Sequence, residues 1–180
     1  MNITRRGVAL GLGSLAAAQG AAYLLYQRVA RERTAAAAGP FSYEPMDGRS
    51  FDLLARVQQR DERELALSGM LGQPLLLHFW ATWCEPCRIE LPQLLGLEEP
   101  AVLFISVDEA WPVVEHFFKG RLPPRVVLDA GGEARRTFGI TTLPDSYLLD
   151  GAGRMLARFH GPRPWAHDEA KATLQRLLNR

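Results

Sequence analysis

Residues 75–80, Leu-Leu-Leu-His-Phe-Trp, are an almost uninterrupted apolar run that passes directly into Ala81-Thr82-Trp83-Cys84-Glu85-Pro86-Cys87-Arg88. A short continuous apolar run of this kind reads as a strand buried on both faces. The two thiols that follow are the chain's only cysteines. Spaced C-x-x-C at the start of a helix, they can close a small disulfide ring and reopen it without moving the rest of the fold. A zinc site would need a second ligand pair at matching spacing, and His78, His116, His160 and His167 are scattered. A purely structural disulfide is a poor use of so short a loop, because the entropic gain falls with loop length. Dithiol redox chemistry is the leading expectation, and it needs no cofactor beyond the Cys84–Cys87 pair.

The charge is unevenly placed. The 180-residue chain carries a formal +1, but residues 1–40 hold five arginines against one glutamate, so residues 41–180 carry −3. A slightly acidic domain argues against nucleic acid as a partner. Residues 7–26 are twenty positions without a charge, flanked by Arg5-Arg6 and Arg28, long enough to span a bilayer as a helix. Residues 1–30 therefore read as a retained membrane anchor, with Tyr23 and Tyr26 suited to the interface. A cleaved signal is the rival, with Thr4-Arg5-Arg6 similar to a twin-arginine start and Ala16-Ala17-Ala18 a small-residue cleavage site. Either reading places the domain outside the cytoplasm if the N-terminal tail stays inside. Charge does not settle the orientation, since arginines flank both ends in similar number.

Residues 31–40 end in Gly39-Pro40 and read as a linker, so one domain is expected over 41–180. Met46-Asp47-Gly48-Arg49-Ser50 carries a turn signal, and the mixed charges of 56–64 suggest a solvated face or loop. Strands are expected over 75–81, 102–107 and 125–129, then a hairpin of 146–150 and 154–159 about Gly151-Ala152-Gly153. Helices are expected after the cysteines, over Trp111 to Phe118 with Gly120 as C-cap, near Glu133 to Phe138, and from Ala166 through Leu177. This order predicts an α/β fold, a central mixed sheet with helices on both faces.

With Phe79-Trp80-Ala81-Thr82-Trp83-Cys84-Glu85-Pro86-Cys87-Arg88, Glu90-Leu91-Pro92 and Leu143-Pro144 ahead of Ser146-Tyr147-Leu148-Leu149-Asp150, residues 41–180 resemble the thioredoxin superfamily. Within it they are most similar to the membrane-tethered TlpA/ResA branch of bacterial thiol-disulfide oxidoreductases. The resemblance implies a thioredoxin-like fold and a domain that faces the periplasm. It further implies reduction of disulfides in exported proteins, often in cytochrome c maturation, with an upstream membrane thiol reductant as electron source.

Cys84, at a helix N-terminus where the macrodipole favours a thiolate, is the expected nucleophile, and Cys87 the resolving thiol. Glu85 adds a negative charge beside Cys84 that opposes the dipole, which argues for a reductant. Glu90, three residues after Cys87 and on the same helix face, matches the glutamate of the ResA-like proteins; the plain alternative is an exposed helix residue. His78 stands where thioredoxins have a buried aspartate and the branch commonly has asparagine. It is either a proton acceptor titrating near neutral pH or a core histidine satisfied by hydrogen bonds. Pro144 aligns with the superfamily's cis-proline, which makes Leu143 a docking position for an extended substrate segment. Thr82 and Trp83 would line the same surface.

Two departures stand out: a short segment from Cys87 to Ala101, and Asp145-Ser146 where two threonines are usual. A copper-binding metallochaperone on the same fold is the alternative from another class, with Cys84 and Cys87 as soft ligands and a distant histidine as third. Its usual C-x-x-x-C spacing counts against it.

Overall fold

The computed structural model describes residues 41–48 and 53–179; the expected anchor, linker and cleavage site lie outside the described residues. Strands run over Glu44–Pro45 (β1), Arg56–Gln58 (β2), Glu64–Ala66 (β3), Leu75–Trp80 (β4), Ala101–Ser106 (β5), Val126–Leu128 (β6), Asp145–Leu149 (β7) and Met155–His160 (β8). Helices span Glu85–Leu95 (α1), Trp111–Phe117 (α2), Glu133–Thr137 (α3) and Asp168–Leu178 (α4), with a 3₁₀ turn at Leu67–Met70.

The eight strands form one sheet in the order β1-β8-β7-β4-β5-β6-β2-β3. β4, β5 and β6 are parallel, while β7 and β8 continue antiparallel from β4. The sheet is therefore mixed, as the element order predicts. Strand alternation divides the core in two. Leu76 and Trp80 share one cluster with Cys87, Leu91 and Leu94 of α1, Trp111 and Val114 of α2, and Leu174 and Leu177 of α4. Leu75, Leu77 and Phe79 join the other, under Ala134 of α3 and Leu67 of the 3₁₀ turn. All six residues of β4 are buried, which explains why its apolar run shows no alternation.

The charged stretch 56–64 is solvated, as expected, but it is partly strand: β2 and β3 pair as an antiparallel hairpin at the sheet edge, with Val57 opposite Leu65. Its strands are three residues each and only Val57 is buried, so the apolar signal is too short to stand out. Arg56 and Glu64 form an ion pair at 2.8 Å, but both are solvated and the pair contributes little.

The β7–β8 hairpin forms as expected, shifted by one residue at its outer ends. Asp150 secures it by accepting from the N–H groups of Ala152 and Arg154, each at 2.9 Å. Gly153, at φ 81°, is required there on two counts: the backbone is left-handed, and a Cβ would lie 2.7 Å from Leu53 Cδ1.

Candidate active site

β4 delivers the chain to Cys84 at the N-cap of α1, in extended conformation, where its Sγ accepts the Cys87 N–H at 3.3 Å. Pro86 sits in the first turn, where no intrahelical N–H is missed. Cys84 and Cys87 are joined by a disulfide, S–S 2.04 Å. Their burial is unequal: Cys84 retains 6% of its surface and Cys87 none. Only Cys84 can be reached by a thiol from outside, which is the asymmetry a nucleophile and a resolving thiol require.

The loop before Cys84 is pinned from below. The Thr82 N–H donates to both oxygens of buried Asp108 at 3.2 and 3.0 Å, and its hydroxyl donates to Oδ1 at 2.7 Å. Ser106, at the end of β5, donates to Oδ2 at 2.6 Å. Thr82 thus spends its side chain on Asp108, a use the sequence reading missed. Thr82→Val should cost about 1.5–3 kcal/mol, the range for a hydrogen bond to a charged group, read from the urea unfolding midpoint.

Glu90 is buried, unlike the exposed helix residue of the plain alternative. The loop between β8 and α4 closes over it: the Arg163 N–H donates to Oε1, and the Ala166 N–H donates to Gln93 Oε1 at 3.1 Å one turn on. Trp165 anchors that loop edge-on between Phe41 and Phe159. The Trp165 indole is near enough to favour the charged carboxyl, yet its N–H and Glu90 Oε2 each lack a hydrogen bond of good geometry. Burial dominates and pushes the Glu90 pKa up to about 8, so the carboxyl is largely protonated at neutral pH.

His78 projects from β4 on the face that carries Leu76 and Trp80, the face packed with the cysteines. Its Nδ1 is 2.9 Å from Ser146 Oγ, directly opposite on β7, and its ring meets Phe104 edge-on at 6.1 Å between centroids. Nε2 is buried without a partner. Burial pushes its pKa down to about 3, so the ring is neutral throughout the physiological range. The residue is a core histidine bonded through Nδ1 alone, and its lowered pKa sets it apart from a base that titrates near neutral pH.

Pro144 follows a cis peptide bond. Because Asp145 pairs with Phe79, the register continues to set Pro144 level with Trp80, at the end of β4 from which the dithiol loop departs. Leu143 is half-buried against both core clusters. Trp83 is 70% exposed and carries a large apolar surface beside Cys84. Sequence reasoning missed the next element: Asp145 is fully buried and accepts from Arg158 Nε at 3.1 Å and Nη2 at 2.6 Å. His160 brackets the same carboxylate, with Nδ1 at 3.3 Å from Asp145 and Nε2 at 3.1 Å from Thr142. An acid inside an apolar strand with Arg158 and His160 alternating on the next strand was the available signal. Among the described residues no three His, Cys, Asp or Glu side chains group closely enough to hold a metal ion.

A mixed sheet with a dithiol at a helix N-terminus and a cis-proline level with it defines a thiol-disulfide oxidoreductase of the thioredoxin class. The Redoxin family model matches residues 48–174, and the chain belongs to that family. It is 30% identical over 131 residues to the thiol-disulfide oxidoreductase ResA of Bacillus thuringiensis subsp. konkukian, covering 69% of this chain and 72% of that protein. It is 34% identical over 97 residues to the thiol:disulfide interchange protein HelX of Rhodobacter capsulatus, a match covering 51% of this chain and 54% of HelX. The chain thus spans about half the length of that relative. Among solved structures, a thiol:disulfide interchange protein DsbE from Chlorobium tepidum shares the fold at TM-score 0.59 and 24% identity, over 76% of this chain and 99% of that one.

Proposed function

We propose that the protein is an extracytoplasmic reductant of disulfides in exported proteins, apocytochrome c among them, held at the membrane by residues 1–30 and recharged by a membrane thiol reductant. The observation that carries this reading is the unequal burial of the two sulfurs at the head of α1, with buried Glu90 three residues after Cys87 on the same helix.

In the reduced protein, the Cys84 thiolate attacks a substrate disulfide; one substrate sulfur leaves as a thiolate and the other is held in a mixed disulfide. Cys87 then attacks Cys84 Sγ. The Cys84–Cys87 bond forms, the second substrate sulfur leaves, and the substrate has gained the two electrons the dithiol lost. The Cys87 proton passes to Glu90. Burial keeps the Glu90 carboxyl largely protonated at neutral pH, which fits the end of that sequence. His78 supports the step as a neutral group. Trp83, Leu143 and Pro144 frame the surface on which an extended substrate segment docks, and Thr82 holds that surface in place.

Equilibrating the full-length chain in graded redox buffers tests the direction of electron flow. The expected Cys84/Cys87 potential is near that of thioredoxin, about −270 mV, whereas a value near about −120 mV would make the protein an oxidant.

A further inference from the structure

A segment that receives a substrate by strand addition binds best when it is already extended, because any freedom it loses on binding weakens affinity. The backbone at Leu143 gets no such order from the sheet. The β7–β8 ladder ends where the Gly161 N–H donates to the Pro144 carbonyl at 2.9 Å, so Thr142 and Leu143 lie beyond it. Thr142 is exposed.

His160, the last residue of β8, reaches past the end of the ladder. It stands directly opposite Asp145, so the two side chains share a face of the sheet. That is the face of Phe79 and Tyr147, away from the cysteines, and Arg158 lies over the Tyr147 ring there at 5.3 Å. Asp145 is fully buried, and Arg158 already gives each of its oxygens a charge-assisted bond. Its charge is balanced without His160. What His160 adds is a second connection. A carboxylate only accepts, so the ring donates to it through Nδ1, at 3.3 Å from Oδ2. Nε2, on the other side of the ring, meets the Thr142 hydroxyl at 3.1 Å. One imidazole thus ties the residue before Leu143 to the residue after Pro144.

We propose that His160 is a positioning residue for substrate docking: anchored on Asp145, it holds Thr142 and so fixes Leu143 in place for the incoming segment. The inference rests on the docking role given to Leu143 and assigns that role a brace. His160 makes and breaks no covalent bond. It acts from the face of the sheet opposite the cysteines, so it bears on binding and not on thiol exchange.

Insulin reduction by the full-length chain, with dithiothreitol as the recycling reductant, separates binding from chemistry. His160→Phe and Thr142→Val should each raise KM about fivefold, the effect of one hydrogen bond, with kcat held. The double variant should be no worse than either, because both substitutions remove the same bond. Additive losses in the double variant, or a fall in kcat with KM unchanged, overturn the proposal. So does a parent KM in Thr142→Val, a change at an exposed position that leaves His160 intact. Leu143→Arg tests the docking role itself: a parent KM there would sink that reading, whatever His160 does.

Discussion

Replacing Cys84 with serine is expected to drop insulin-disulfide reduction by the full-length chain to the uncatalysed rate. The attacking species is a thiolate, and a serine hydroxyl at the same N-cap neither ionises near neutral pH nor forms a mixed disulfide. Cys87→Ser should behave differently. Cys84, the sulfur with an exposed edge, would still attack, but nothing would resolve the product, so a covalent Cys84–substrate adduct should accumulate on non-reducing gels. Retained turnover in Cys84→Ser, or an adduct in Cys84→Ser and none in Cys87→Ser, would reverse the roles assigned to the two sulfurs.

Glu90 and His78 should together give the oxidised protein an unusual pH profile of stability. Glu90 titrates near 4.5 when unfolded and about 8 when folded. Between those values the native chain holds a proton that the unfolded chain has released, so stability falls as pH rises. His78 runs the other way: it titrates near 6.5 unfolded and about 3 folded, so over that interval the unfolded chain holds the extra proton and stability rises with pH. The two slopes oppose each other from about pH 4.5 to 6.5. Above about pH 6.5 the Glu90 slope prevails, and roughly 1 kcal/mol should be lost by pH 8. Glu90→Gln should remove that alkaline loss in urea titrations at pH 6.5 and 8. The same loss in the variant would mean that another group carries it.

Much of the architecture was legible because its signals are local. β4 reads as buried from its apolar run alone, and the β7–β8 hairpin reads from Gly151-Ala152-Gly153 flanked by apolar segments. The β2–β3 hairpin did not, since each strand is three residues long and its stability comes from the sheet edge it joins. Site residues divide the same way. Cys84 and Cys87 declare themselves by spacing, whereas Thr82 looked like a docking residue and is bonded to Asp108, a partner twenty-six positions away. Asp145, Arg158 and His160 gain meaning only when β7 and β8 are laid side by side.

What the amino-acid sequence determined by itself is the dithiol, its place at the end of a buried strand and the start of a helix, and the α/β order around it, because these depend on nearest neighbours and periodicity. What only the tertiary structure decided is the chemical state of the groups behind the dithiol. Glu90 is singled out in the sequence by its place after Cys87, but its burial is seen only once the Arg163–Trp165 loop covers it. His78 reads equally as a neutral-pH base or a core histidine until Ser146 is seen to take one nitrogen and the core the other. Protonation is set by desolvation and by partners brought from distant parts of the chain, and neither is written in the residues adjacent to them.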